Sequence, residues 1–168
     1  MEITLRPATA NDLEGILAIV NHNILHSTAL YDYNVKSMEY MQQWFTEKQE
    51  AGWPVIVADC KGKVAGYGTY GTFRTKDGYK YTVEHSVYVN EEYHGKGIGK
   101  MLLADLIVLA KKQGMHSMIA GIDAENKGSI EFHKKFGFRE AGLLKEVGFK
   151  FNRWLDVVFM ELHLNQDS

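Results

Sequence analysis

A glycine-rich turn is the most chemically informative stretch of the sequence. It reads Tyr93-His94-Gly95-Lys96-Gly97-Ile98-Gly99-Lys100 and lies between a strand-like segment and an apolar helical pattern. Glycines let the backbone approach a ligand closely and aim several N–H groups at one point. The N-terminus of the following helix adds partial positive charge, and Lys96 and Lys100 add full charges. The turn therefore predicts a binding site for a phosphate or diphosphate group.

Three types of phosphate-binding turn compete for this segment. A P-loop needs Ser or Thr after its lysine to bind magnesium, but Met101 follows Lys100. A dinucleotide-binding turn has the spacing Gly-x-Gly-x-x-Gly after a first strand, whereas this turn lies in mid-chain with a different glycine spacing. The third type, Gln/Arg-x-x-Gly-x-Gly/Ala, fits with His94 in its first position and Gly97 and Gly99 in its last two. A glycine-rich connection that binds no ligand is the remaining alternative.

The elements around the turn predict one α/β domain over residues 1–168. Apolar residues at helical spacing follow Thr9 and Ser37, and two more helices follow the glycine-rich turn and Asn126. Short apolar and alternating segments predict strands near residues 4–6, 55–58, 64–70, 81–89, 118–122, 141–148 and 154–163. The order β-α-α-β-β-β-α-β-α-β-β predicts a mixed sheet with helices packed on it.

Three other segments carry a family resemblance. The stretch NKGSIEFHKKFGF, from Asn126 to Phe138, resembles the second cofactor motif of the GNAT N-acetyltransferases, a helix that ends in Gly-Phe. The segments TVEHSVYV from Thr82 and GFKFNRWLDV from Gly148 are similar to the branch containing phosphinothricin and methionine sulfoximine/sulfone acetyltransferases. The resemblance covers nearly the whole chain. It implies the GNAT fold, an α/β (α+β) arrangement in which a mixed, mostly antiparallel sheet of about six or seven strands is flanked by about four helices.

The resemblance also implies acetyl-CoA as the co-substrate, bound where the central strand parts from its neighbour. Backbone groups of Val87, Tyr88 and Val89 would hold the pantetheine arm like an added strand, and one N–H would polarise the thioester carbonyl. Asn126 would bond the cofactor arm, with Ser129 and Lys135 as further contacts. The turn would bind the diphosphate through His94, Gly95, Lys96, Gly97, Ile98, Gly99 and Lys100. His94 departs from the Gln or Arg that the family usually has there.

Acetyl transfer to nitrogen needs a neutral amine, and a positioned carboxylate can accept the amine's proton. Glu84 is the only acid on the predicted central strand, and the resemblance places the general base there; a structural ion pair or a solvent-facing carboxylate is the alternative. His133 lies four residues before the Gly-Phe pair, where many relatives have a tyrosine. We expect His133 to be the general acid, with a packing or capping histidine as the alternative. Cys60 lies beside a hairpin turn, so a covalent acyl-cysteine route is not expected.

The amino-acid-like acceptor that the branch implies carries an anionic group. Arg74 is the best candidate to hold it, because a guanidinium binds a carboxylate or phosphinate through two parallel hydrogen bonds. His85 should face the side of the strand opposite to Glu84, where a structural role is favoured. The predicted acceptor site comprises Tyr31, Tyr33, Arg74, Thr75, Lys76, Tyr79, Glu84, His85 and Ser86, with Lys145, Phe151 and Trp154 as further contributors. Solvated loop cations and packed aromatic rings are the alternatives.

Composition narrows the function further. The chain has 168 residues and a formal net charge of −2, which does not favour a nucleic-acid partner. One cysteine excludes an internal disulfide, no apolar run reaches membrane-spanning length, and the seven histidines lack metal-ligand spacing. These features, and an N-terminus without a signal-like pattern, predict a cytoplasmic protein with no metal and no membrane contact. The resemblance suggests a homodimer.

The leading hypothesis is an acetyl-CoA-dependent enzyme that acetylates the amine of a small amino-acid analogue. One alternative keeps the cofactor and changes the acceptor to a protein N-terminus, a polyamine or an aminoglycoside. Another is an acyl-CoA-binding module without turnover, against which the presence of both Glu84 and His133 argues.

Overall fold

The strands form one seven-stranded sheet in the computed structural model, which describes residues 2–164. The sheet order is β1-β2-β3-β4-β5-β7-β6, and every neighbouring pair is antiparallel except β4 and β5. The strands are β1 (Thr4–Pro7), β2 (Val55–Cys60), β3 (Lys63–Thr72), β4 (Thr82–Val89), β5 (Ser117–Asp123), β6 (Arg139–Lys150) and β7 (Arg153–His163). The helices are α1 (Leu13–His26), α2 (Met38–Ala51), α3 (Ile98–Lys112) and α4 (Lys127–Lys135). The predicted element order and the mixed, mostly antiparallel fold are confirmed.

Each face of the sheet buries its own core. On one face α3 packs through Leu102, Leu103 and Leu106, in a cluster that also contains Ile130 of α4. On the other face α1 and α2 pack on β2 and β3 through a smaller cluster. Its buried members are Leu13, Ile16, Ile19, Met41, Phe45, Val55, Val57 and Tyr67. None of the helices in residues 2–164 is long and apolar enough to span a membrane.

Local capping sets two of the helix ends as the sequence predicts. The Ser37 hydroxyl accepts a hydrogen bond from the Tyr40 amide at 3.1 Å and begins α2. Gly137, with φ of +93°, follows the end of α4 in the left-handed conformation that glycine adopts without steric cost. These caps fix α2 and α4 relative to the strands that follow them.

Two glycines bring α3 close to β3. A Cβ atom at Gly68 would lie 3.0 Å from Leu106 Cδ1, and one at Gly66 would lie 3.0 Å from the backbone oxygen of Tyr88. Because these positions have no side chains, the helix packs directly on the backbone of the strand. The N-terminus of α3 is thereby held next to the end of β4.

The parallel pair β4 and β5 separates after only three residue pairs. Thr82, Val83 and Glu84 pair with residues 117–119, and beyond this point β3 is the only one of the described strands that pairs with β4. Residues 120–123 of β5 continue to pair with β7. The sheet therefore opens into a gap between Val87–Val89 on one side and the end of β5 on the other.

Two buried histidines link α4 to the point where these strands part. His133 Nδ1 donates to the carbonyl oxygen of Ser129 at 2.7 Å, because a carbonyl can only accept. In the neutral state His133 Nε2 must then accept from His85 Nε2, which lies 3.0 Å away. The remaining nitrogen, His85 Nδ1, faces the Ile119 carbonyl at 3.3 Å. In this arrangement His85 Nδ1 carries no proton and makes no hydrogen bond to that carbonyl, so the hydrogen bonds tie β4 to α4.

Acidification should destabilise the protein through His85. Burial, with a smaller effect from His133, lowers the pKa of His85 to about 3, whereas the imidazole of an unfolded chain has a pKa of about 6.5. Below pH 6.5 the unfolded state therefore binds a proton that the folded state does not. The free energy of unfolding should fall as the pH drops from 6.5 towards 3, by at most about 1.4 kcal/mol per pH unit from this group.

Urea unfolding of wild type and His85→Gln between pH 7 and pH 4.5 measures this contribution. We expect the substitution to flatten the pH dependence. The matched control is His26→Gln, at an exposed histidine of α1, which should leave the slope unchanged. Equal slopes for wild type and His85→Gln would contradict the assignment.

Candidate active site

A cleft of about 920 Å³ occupies the gap between β4 and β5 and extends over the start of α3. Its size is in the range of cofactor and ligand sites, about 300–1,000 Å³. The cleft brings together most of the residues that the sequence predicts to bind the cofactor. These are Val87, Tyr88, Val89, His94, Gly95, Gly97, Ile98, Gly99, Lys100, Asn126 and Lys135.

The glycine-rich turn takes the backbone shape that its composition predicts. Gly95 and Gly97 have φ of +80° and +76°, and α3 begins at Ile98 immediately afterwards. Glycine suits these two positions, because other residues adopt the left-handed conformation only with strain. The first turn of α3 has no intrahelical partners for its N–H groups, so they are available to an anion in the cleft.

His94 holds the turn against the end of β4. Its ring nitrogen Nε2 lies 3.1 Å from the carbonyl oxygen of Val89, so this nitrogen carries the proton and donates it. The residue that departs from the usual family pattern therefore makes a contact between two predicted cofactor-binding segments.

The polar and charged groups of the cleft are only partly those predicted. Lys100 and Lys135 supply cations to the wall, whereas Lys96 and Ser129 are not among its residues. The Asn126 side chain accepts a hydrogen bond from the Ser129 amide at 3.1 Å and caps α4, which fixes its orientation at the cleft. Ser129 contributes through its backbone, as the partner of Asn126 and His133.

Part of the cleft wall was missed by the sequence analysis. The end of α1 and the residues after it contribute Asn23, Ser27, Thr28 and Ala29, which carry no recognisable motif. The rings of Phe132 and Phe136 on α4 also line the cleft. Their helical spacing was the only feature of the sequence that pointed to them. The remaining missed residues are Tyr93, Glu125 and Arg153, the last two forming an ion pair.

Glu84 lies in a separate pocket of about 380 Å³ on the α1/α2 face of the sheet. We call it the acceptor pocket; its lining residues are Trp44, Glu47, Lys48, Ala51, Trp53, Gly71, Thr72, Glu84 and Ser86. Burial raises the pKa of the Glu84 carboxyl above its ordinary value. A Cβ atom at Gly121 would lie 3.3 Å from Glu84 Oε2, so the absence of a side chain there leaves room for the carboxylate.

A smaller pocket of about 200 Å³ lies between the cleft and the acceptor pocket. It shares Trp44, Lys48 and Ser86 with the acceptor pocket and Tyr88 with the cleft. Burial raises the pKa of Tyr88 to about 12, so its hydroxyl stays protonated at neutral pH. Glu84, Ser86 and Tyr88 alternate along β4, so they place the acceptor pocket, the smaller pocket and the cleft next to one another on one side of the strand.

His133 does not lie on the cleft wall, contrary to the prediction of a general acid. It is only 6% exposed, and both ring nitrogens contact protein atoms, Ser129 O and His85 Nε2. Burial also lowers the pKa of His133, which leaves the ring neutral. The geometry therefore favours the packing alternative for this residue.

His85 occupies the side of β4 opposite to Glu84, as the strand alternation predicts. It is 7% exposed and packs on Phe138. It faces α4 and does not line the acceptor pocket, so its predicted place among the acceptor-site residues stays a prediction.

The loop cations predicted to hold the acceptor do not line Glu84's pocket. Arg74, Thr75 and Lys76 are exposed and line neither the cleft nor the acceptor pocket. The Arg74 guanidinium lies over the ring of Phe73, 5.5 Å from its centroid, and Tyr79 packs against the same ring. The contacts of this exposed loop do not direct Arg74 and Lys76 into the acceptor pocket.

The aromatic residues predicted as pocket walls are placed differently again. The Tyr31 hydroxyl donates to Asp123 Oδ2 at 2.8 Å, beside the end of β5. The Tyr33 hydroxyl donates to the carbonyl of Phe149. Lys145, Phe151 and Trp154 are exposed on the β6–β7 hairpin. Of the predicted acceptor-site residues, only Glu84 and Ser86 line the acceptor pocket.

Comparison with known proteins agrees with this architecture. Residues 5–159 match the acetyltransferase (GNAT) domain family. The chain is 41% identical to the L-methionine sulfoximine/L-methionine sulfone acetyltransferase of Salmonella typhimurium, over 99% of this chain and 97% of that protein. It is 36% identical to the phosphinothricin N-acetyltransferase of Alcaligenes faecalis, over 96% and 83% of the two chains.

A solved structure extends the comparison to the cofactor. The acetyltransferase yncA of Salmonella typhimurium, solved with its cofactor acetyl-CoA, superposes with a TM-score of 0.95 at 40% identity, covering 99% of this chain and 96% of the other. The chain belongs to the GNAT acetyltransferase family and is an N-acetyltransferase whose co-substrate is acetyl-CoA.

Proposed function

We propose that the protein acetylates the α-amine of a small amino-acid-like acceptor, of the methionine sulfoximine, methionine sulfone or phosphinothricin type, by direct transfer from acetyl-CoA. The single observation that carries this proposal is that one strand, β4, lines both the cofactor cleft and a pocket that contains one half-buried carboxylate, Glu84. The relatives that act on such acceptors match nearly the full length of the chain. The cytoplasm is the proposed compartment, and a sequence with a single cysteine, Cys60, needs no oxidising environment to fold.

The cofactor would lie along β4 with its diphosphate on the glycine-rich turn. Among residues 2–164, the backbone groups of Val87–Val89 have no strand partner on the β5 side, and they would pair with the pantetheine arm. The first-turn amides of α3 and the ammonium of Lys100 would bind the diphosphate. The thioester would then lie beside Tyr88, the residue that the cleft shares with the pocket leading to Glu84.

Glu84 would take one proton from the acceptor's ammonium and so free its lone pair for attack on the thioester carbonyl. A backbone N–H of β4 would stabilise the oxyanion that forms. The C–S bond then breaks, and the second N–H proton neutralises the CoA thiolate directly or through water. A thiol with a pKa near 8.5 leaves readily as a thiolate, so the step does not depend on His133.

Glu84→Gln should remove most turnover while acetyl-CoA binding survives. The amide is nearly isosteric with the carboxylate but cannot accept the proton, and general-base catalysis contributes about 10²–10⁴-fold to rate. CoA thiol release with methionine sulfone or phosphinothricin as acceptor measures turnover, and calorimetric titration measures acetyl-CoA affinity.

The matched control is Glu47→Gln, at the other acid of the acceptor pocket, which is exposed and accepts a hydrogen bond from Gln43. It should retain most activity. Full activity of Glu84→Gln would overturn the assignment of the base. Turnover only with a polyamine or a peptide N-terminus would favour those acceptors, and acetyl-CoA binding without any turnover would favour a binding module.

Lys48 is the cation that the structure offers to the acceptor's carboxylate. Its ammonium donates to the Tyr70 carbonyl at 3.0 Å, which uses one of its three N–H groups. No carboxylate of residues 2–164 lies within ion-pair distance of Lys48. Burial without a counter-charge lowers the pKa of Lys48 to about 8. A bound carboxylate would supply that missing charge, so we propose Lys48 in place of Arg74 for this role.

Lys48→Met should raise the KM of the acceptor by about tenfold or more, because a charge-assisted hydrogen bond contributes about 1.5–3 kcal/mol. The KM of acetyl-CoA should change little. Steady-state kinetics with each substrate varied in turn separates the two effects. Arg74→Met is the comparison variant and should have the smaller effect; the reverse order would return the role to the loop.

The β6–β7 hairpin supports the further proposal of a homodimer. β6 is the last strand of the sheet, and its exposed side chains are unusually apolar. The exposed apolar side chains of the hairpin, which we call the apolar patch, are Leu143, Leu144, Val147, Phe149, Phe151 and Trp154; the rings of Phe149 and Trp154 pack on each other. Exposed apolar patches on edge strands are typical of contact surfaces. A second copy would cover this patch by the same residues across a two-fold axis.

The double substitution Leu143→Glu/Val147→Glu should convert a dimer into a monomer. Two carboxylates in the centre of an apolar contact would be desolvated without partners. Light scattering coupled to size-exclusion chromatography gives the mass in solution. Lys145→Glu, on the same strand, is the charge-changing control, and a wild type that is monomeric at micromolar concentration would refute the dimer.

A further inference from the structure

A buried ammonium connects the β6–β7 hairpin to the end of α1. Lys150 is only 3% exposed, and its Nζ donates to the carbonyl oxygens of Ser27 at 2.7 Å, Leu30 at 2.5 Å and Asn23 at 3.4 Å. Among residues 2–164 no carboxylate lies within ion-pair distance of Lys150. Three carbonyl dipoles therefore take the place of a counter-ion. Asn23 belongs to the last turn of α1, where the helix dipole also favours a cation.

Two of the three carbonyls that bind Lys150, those of Asn23 and Ser27, belong to residues on the wall of the acetyl-CoA cleft. Asn23, Ser27, Thr28 and Ala29 all line the cleft, and we call residues 23–30 the α1 exit segment. Lys150 itself lies outside the cleft, in a small pocket with Ile24, Leu25 and the turn of the hairpin. The ammonium thus contacts backbone atoms of the cleft wall and does not face the cofactor.

The turn of the hairpin is shaped to direct Lys150 inward. β6 ends at Lys150 and β7 begins at Arg153, so the hairpin has a two-residue turn, Phe151–Asn152. Both turn residues have positive φ, +53° and +59°, as a type I′ turn requires, although neither is glycine. The ring of Phe151 lies 4.9 Å from Lys150 Nζ, in a cation–π contact. An aromatic residue in this conformation is strained, and the contact with Lys150 helps to offset the strain.

Neighbouring contacts hold the continuation of the same segment. A Cβ atom at Gly148 would lie 2.5 Å from Tyr31 Cε2, so the absence of a side chain lets the Tyr31 ring pack on the strand. The Tyr33 hydroxyl donates to the Phe149 carbonyl. The residues from 23 to 33 are therefore held against the hairpin, with Lys150 making most of the hydrogen bonds.

We propose that Lys150 is a positioning residue for cofactor binding: its ammonium fixes the α1 exit segment so that residues 27–29 form one wall of the acetyl-CoA cleft. The inference rests on the proposed role of that cleft. Without the ammonium, the carbonyls of Ser27 and Leu30 would be buried and without a donor. The segment would move to reach water, and the cleft would lose a wall.

A graded series at Lys150 tests the proposal. Lys150→Gln keeps N–H donors without the charge, and Lys150→Met keeps the length without either. The KM and the calorimetric Kd of acetyl-CoA should rise about threefold for Gln and about tenfold or more for Met, with a smaller change in the acceptor's KM. Hydrogen exchange of the amides of residues 27–31 should accelerate in the same order. Lys63→Met, at an exposed lysine at the start of β3, is the matched control and should behave as wild type.

The outcomes separate this inference from the proposed function. A lower melting temperature with unchanged acetyl-CoA affinity and unchanged exchange at residues 27–31 would reduce Lys150 to a purely structural role and overturn the proposal. If the Met variant does not fold, the Gln variant decides by the same readouts. Acetyl-CoA binding by the wild type is measured first. A wild type that binds no acetyl-CoA would instead refute the role of the cleft.

Discussion

The early separation of β4 from β5 is the constraint on which the rest of the site depends. The two strands share only three residue pairs, so the backbone of Val87–Val89 loses its neighbour on one side while the sheet stays intact on the other. Unpaired backbone groups inside a fold need partners, and an extended ligand arm can supply them. The His85–His133 contact and the capped start of α4 hold the far side of the gap open. The binding site is therefore a defect in a sheet that the surrounding packing maintains.

Burial disfavours the charged forms of two side chains beside this gap, Glu84 and Lys48. Burial raises the pKa of Glu84 and lowers that of Lys48, and neither has an opposite charge from a described residue to offset the loss of water. An α-amino acid is a zwitterion and carries both missing charges, an ammonium for Glu84 and a carboxylate for Lys48. The pocket is thus better matched to such a molecule than to a polycation, which could satisfy only Glu84.

The sequence predicted what local motifs determine. The element order, the cap at Ser37, the turn around Gly95 and Gly97 and the strand carrying Glu84 all depend on residues close together in the chain. The surroundings of His133 and Arg74 depend on residues far away in the chain, which the sequence does not reveal, and their predicted roles stay predictions. His133 meets His85 across 48 positions, and this contact occupies the nitrogen that a general acid would have needed. Arg74 lies in an exposed loop, while a helix far upstream places Lys48 in the pocket.

The segment from Gly148 to Arg153 is recognisable as a motif in the sequence, but the sequence does not show what its side chains contact. Side chains alternate along a strand, so Lys150 points into the molecule while Phe149 and Phe151 are exposed beside it. The inward ammonium binds carbonyls about 120 positions upstream, a relation that no spacing within the motif could have revealed. The outward rings belong to the apolar patch of the hairpin. A substitution in this segment can therefore affect both the exposed surface of the hairpin and the wall of the cleft, because one short stretch of backbone contributes to both.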